Sequence, residues 1–94
     1  MKVSEVTTEY AREYCGRSDV SENTRIETCM AAAKAFIKGF TALDDNRIDE
    51  HEDITIAYLV LINEWYTNRD YTVEQAATNP SVNAILAMYA ENYI

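Results

Sequence analysis

Glycine and proline are nearly missing from this chain of 94 residues: it has Gly16, Gly39 and Pro80 and no others. Sandwiches and barrels turn often and draw on both residue types, so the scarcity points to long helices with few connections. Two glycines cannot build a phosphate loop or a dinucleotide fingerprint, and no GxSxG occurs. Histidine is limited to His51, which removes His-rich metal sites and leaves the Ser and Cys residues without a catalytic partner. Basic charge is also short, with 8 Lys and Arg against 16 Asp and Glu, a formal charge of −8. Such a field repels nucleic-acid backbones, which argues against tight reading of DNA but suits a surface that DNA passes without sticking.

The two cysteines, Cys15 and Cys29, allow one bridge at most and lack metal-ligand spacing. Both fall beside apolar residues on helical faces, so they read as free buried thiols in a reducing cytoplasm. The longest apolar run, 54–62, is broken by Thr55 and falls far below the ~20 residues that span a bilayer. The start, MKVSEVTTEY, has no apolar signal region. Apolar residues make up 48% of the chain, enough for one small core. The expectation is a single soluble, intracellular, all-α domain over 1–94, with no cofactor, no metal and no catalysis.

What is present is helical periodicity. The stretch 51–69, HEDITIAYLVLINEWYTNR, is apolar on nearly every side, and a helix of that kind must be covered by the rest of the chain. Ile54, Ala57, Tyr58, Leu61 and Trp65 form one face, and Ile56, Leu59, Val60 and Ile62 thicken it. Ile26, Cys29, Met30, Ala33, Phe36, Ile37 and Phe40 recur at spacings of three and four and predict a second helix, from about 21 to 41. Gly39 inside it marks either a close approach or the start of fraying. Thr7 as N-cap and Gly16 as C-cap bound a short first helix with Tyr10, Ala11, Tyr14 and Cys15 on one face. Residues 42–50 read as a loop pinned by Ile48, and 70–79 as an arm or loop. Asn79-Pro80 opens a last helix to about Glu91, with Val82, Ile85, Leu86 and Tyr89 on its face and Met88 beside them. The predicted architecture is three main helices and a short N-terminal one, with 51–69 buried.

Few residues suggest chemistry. His51 between Glu50 and Glu52 reads as an exposed residue of an acidic turn. The carboxylates Asp44, Asp45, Asp49, Glu50, Glu52 and Asp53 break the calcium-loop pattern and read as a solvated loop plus a helix-dipole anion patch. Glu64, within an apolar helix, reads as an ion-pair partner for Arg25, Lys34 or Arg69. Seven tyrosines and one tryptophan are many for this length. Tyr10, Tyr14, Tyr58 and Trp65 fit core faces. Tyr66, Tyr71, Tyr89 and Tyr93 are harder to bury together, and are either a rim of half-buried rings or an interface.

Four segments in order resemble the small head–tail connector proteins of tailed bacteriophages and prophages, also called head-completion or adaptor proteins. They are KVSEVTTEYAREYCG, IETCMAAAKAFIKGFTAL, EHEDITIAYLVLINEWYTNRD and NPSVNAILAMYAENYI, nearly the whole chain. Where that family often has Gly after its aromatic-Thr pair this chain has Ala42-Leu43, and Tyr89 stands where His is common. The resemblance implies a structural virion protein at the capsid vertex, assembled in the bacterial cytoplasm as a homo-oligomeric ring beneath the portal protein. The ring would extend the DNA channel and offer the tail or a stopper protein a docking surface. The subunit and partner contacts expected on this basis are Trp65, Tyr66, Asn68, Arg69, Tyr71, Met88, Tyr89 and Asn92. A second reading is a small acidic regulator that binds a host protein as a DNA mimic. Its carboxylates should then space regularly over one face, whereas here they gather at helix starts and loops.

Overall fold

In the computed structural model, which describes residues 1–68 and 80–89, the chain is an all-α bundle, and no strand occurs among the described residues. A 3-10 turn at Val3–Glu5 leads into α1 (Thr8–Tyr14). A second 3-10 turn at Val20–Glu22 leads into α2 (Asn23–Thr41). The remaining helices are α3 (Asp45–Asp49), α4 (Glu52–Asn68) and α5 (Pro80–Ala87). None of the described helices is long and apolar enough to cross a membrane.

Local chemistry sets the boundaries. The Thr7 hydroxyl accepts the Tyr10 N–H and starts α1. Gly16, at φ +78°, ends it. The Gly16 N–H donates to the Glu13 carbonyl and the Arg17 N–H to the Arg12 carbonyl, the paired bonds of a Schellman cap. Asp19 caps the 3-10 turn through the Ser21 N–H. At the end of α2, Ala42 takes a left-handed φ of 61°, a conformation that suits glycine far better than alanine. The segment 42–50 is more ordered than a loop. Asp44 caps α3 by accepting the Arg47 N–H, and this single turn drives Ile48 into the core at 1% exposure. Five residues are too few to show helical periodicity, which is why the sequence reads as a loop there.

The core is built around α4, as the sequence implies. Ile54, Ala57, Leu61 and Ile62 are fully buried, and Tyr58, Leu59 and Trp65 nearly so. Full burial of an aliphatic side chain contributes about 1.5–3 kcal/mol. α2 covers α4 with Ile26, Cys29, Ala33 and Ile37, α1 adds Ala11, and α5 adds Val82 and Leu86. The two buried threonine hydroxyls are bonded, which offsets the cost of burying them: Thr41 donates to the Ile37 carbonyl and Thr55 to the Met1 carbonyl.

Two assignments of side chains to faces are reversed. Ile56 does not thicken the buried face of α4 but stands 56% exposed, and Tyr10 and Tyr14 point outward at 41% and 45%. α1 is short and lies over the outside of the bundle, so Ala11 and the aliphatic length of Arg12 fill its inner face. Gly39 is no close-packing site, since a Cβ placed there meets nothing within 4 Å.

Candidate functional site

The aromatic residues near the C-terminal end of α4 are occupied inside the chain. Trp65 is 2% exposed and meets the Phe36 ring edge-on, with centroids 6.1 Å apart. Tyr66 is 5% exposed; its hydroxyl donates to Glu22, and the Arg17 guanidinium sits 5.7 Å from its ring centroid. The bond to a carboxylate holds the Tyr66 phenol above its ordinary pKa. Tyr89, half-buried, follows the same pattern from the other end of the chain. Its hydroxyl donates to both oxygens of Asp53 at 2.7 Å, its pKa is raised by that bond, and its ring lies against His51 at 4.2 Å between centroids. His51 is therefore half-buried in an aromatic contact and not simply exposed in an acidic turn.

Of the expected contact residues, Trp65 and Tyr66 have no side-chain surface to offer a partner in this conformation. Tyr89 offers part of its ring, and Met88 stands out at 65% exposure. Asn68 ends α4, and Arg69, Tyr71 and Asn92 lie outside the described residues, as do the arm at 70–79 and Tyr93. Of the cations expected near Glu64, Arg69 lies outside the described residues and the other two pair with different carboxylates. Arg25 lies 3.6 Å from Glu22, and Lys34 and Lys38 lie 3.5 and 3.4 Å from Asp45.

Among the described residues, apart from the singly exposed Val20 and Met88, apolar side chains gather in two patches. The first is a shallow hollow of about 230 Å³ rimmed by Met1, Tyr10 and Ile56, with Thr55 and Leu59 below. Tyr14, one turn beyond Tyr10 on α1, extends this patch into a band. Glu52 in the hollow is paired with the Met1 ammonium at 2.6 Å, and Glu9 and Glu13 are exposed on α1. The second patch is concave, a hollow of about 340 Å³ on α2 lined by Ala35, Phe36, Gly39 and Phe40. Its two rings sit 5.7 Å apart, and Gly39 leaves its floor open. Helical geometry relates the two. Ile56 and Trp65 are nine residues apart on α4, which turns them about 180° from each other. Phe36 packs on Trp65, so the α2 hollow lies on the side of α4 away from the band.

Sequence periodicity overlooked these patches because each is made by neighbours on different elements or by a missing side chain. The exposed apolar residues themselves, Ile56 above all, were visible but read as core. Chemistry is sparse. Among the described residues no group of three His, Cys, Asp or Glu side chains comes together to hold a metal ion. Neither Cys15 nor Cys29 is in a disulfide, and burial pushes the Cys15 pKa up to about 11. No protein-family model matches the chain, and comparison with curated proteins and with solved structures finds no match either.

Proposed function

We propose that this chain is a structural subunit of head–tail connector type, one that assembles as a ring between a phage portal and the tail or stopper. The observation that carries the reading is the pair of unlike apolar patches on opposite sides of α4. A closed ring is built from heterologous contacts, in which each copy uses two different surfaces. A lone soluble domain has no need of Tyr10, Tyr14 and Ile56 together at the surface. The resemblance along nearly the whole chain, the all-α bundle and the charge of −8 fit a channel wall that DNA slides past. Because Trp65 and Tyr66 are buried, assembly through them is replaced by assembly through the band and the hollow, with Met88 and Tyr89 left to meet the portal or the stopper.

Co-sedimentation of the chain with the portal ring of its own phage tests the reading. The expected result is a saturating complex that holds a fixed number of copies per portal ring. A chain that leaves the portal at every concentration and stays monomeric would overturn it.

A further inference from the structure

The outer face of α1 consists of Glu9, Tyr10, Glu13 and Tyr14. A helix turns about 100° per residue, which puts these four on the side away from the buried Ala11 and Arg12, and all four are exposed. The cations nearest in sequence turn away from them. Arg12 is 7% exposed, and its guanidinium donates to the Asn23 side-chain oxygen at 2.6 Å. Arg17 lies beyond the Gly16 cap, with its guanidinium over the Tyr66 ring. Glu9 and Glu13 are thus like-charged neighbours four residues apart, which disfavours a helix. Glu13 also sits in the last turn of α1, where the helix dipole opposes an anion. The fold gains nothing from Glu13, and two carboxylates stand beside two open phenol rings.

We infer that this face docks an arginine-bearing segment of a partner protein. A guanidinium stacks flat on the ring of Tyr10 or Tyr14 while its edge donates in pairs to Glu9 or Glu13. Lysine has no such plane, an apolar segment leaves the carboxylates without a counter-charge, and nucleic acid is repelled. The chain itself does not supply the cation. Its described arginines, Arg12, Arg17, Arg25 and Arg47, are engaged with Asn23, Tyr66, Glu22 and Glu50. The inference goes beyond the ring reading and does not depend on it, because the Ile56 hollow lies beside this face and only Tyr10 borders both.

Peptide titration tests the assignment. The probes are fluorescein-labelled peptides of alternating Arg and Ala, or Lys and Ala, read by anisotropy at physiological salt. The variants are Tyr10→Ser with Tyr14→Ser, and Glu9→Gln with Glu13→Gln, each first required to show wild-type helical circular dichroism. Asp45→Asn with Glu50→Gln removes two charges at other exposed positions. The expected result is tighter binding of the arginine peptide than of the lysine peptide. Each α1 pair of substitutions should weaken it about fivefold or more, and the Asp45 and Glu50 pair should leave it nearly unchanged. Equal affinity for the two peptides, or equal weakening by the Asp45 and Glu50 pair, reports only attraction to a chain of charge −8 and overturns the inference. Binding of neither peptide overturns it as well, and loss of self-association in the α1 variants alongside that result would assign the face to a second copy.

Discussion

The Tyr89 hydroxyl donates to both oxygens of the Asp53 carboxylate at 2.7 Å. This bond fastens the end of the last described helix to the first turn of α4, across 36 positions of sequence. Removal of the hydroxyl leaves the ring packed against His51 but takes away a charge-assisted bond. Tyr89→Phe is expected to lower stability by about 1 kcal/mol, below the usual range for bonds to charged groups because the site is only half-buried. Urea unfolding of the two proteins measures the difference. An unchanged midpoint would show that the bond is not held in solution.

Alkaline pH attacks the same kind of bond at several places. Burial pushes the Tyr58 phenol up to about 12, and the bonds to Glu22 and Asp53 raise Tyr66 and Tyr89. A phenol whose folded pKa lies above its unfolded value near 10 contributes stability that is fully present below pH 10. That contribution is lost as pH rises through the folded value. Stability is therefore expected to hold to about pH 10 and fall steadily toward pH 12, with a late step in the 295 nm phenolate titration from Tyr58. Tyr58→Phe should remove that late step.

Two small residues stand where the other would suit the backbone better: Ala42 has the left-handed conformation that favours glycine, and Gly39 sits inside α2 where alanine fits. Ala42→Gly relieves about 1–2 kcal/mol of backbone strain and gives back about 0.4–1 kcal/mol to the greater freedom of the unfolded chain. A net gain of about 0.5 kcal/mol is expected from thermal unfolding. Gly39→Ala should stabilise the monomer by up to about 1 kcal/mol.

Cys15 should be a slow thiol. With its pKa at about 11, its thiolate fraction at pH 8 is on the order of 0.1%. Alkylation by iodoacetamide at pH 8 should run far slower than for a free cysteine and accelerate roughly tenfold per pH unit until the pKa is reached. Cys29, in the core, should react only on unfolding.

The fold was legible because periodicity and capping report on buried faces. Thr7, Gly16 and Pro80 mark boundaries that the structure keeps, and Ile54, Leu61, Trp65, Val82 and Leu86 are core as their spacing implies. What was hidden is which member of an over-full set stays outside. Ile56 and Tyr58 both belong to an almost wholly apolar helix, and only the placement of α1 and the N-terminal turn decides that Ile56 remains uncovered. The tyrosines invert for a related reason. Tyr66 and Tyr89 find carboxylates on distant elements, Glu22 and Asp53, which no local pattern announces. Tyr10 and Tyr14 are left outside because a helix of seven residues buries only its narrow inner face.

Sedimentation of the wild-type chain and of Gly39→Leu over a wide concentration range bears most directly on the claim that this is a subunit with two unlike surfaces. A Cβ at 39 meets nothing within 4 Å, so the leucine has room to extend into the hollow beside Phe36 and Phe40. The expected result is wild-type mass rising above 10.7 kDa with concentration, while the thermally more stable Gly39→Leu stays at 10.7 kDa. Equal self-association of the two proteins, or a wild-type chain that remains at 10.7 kDa throughout, would contradict it.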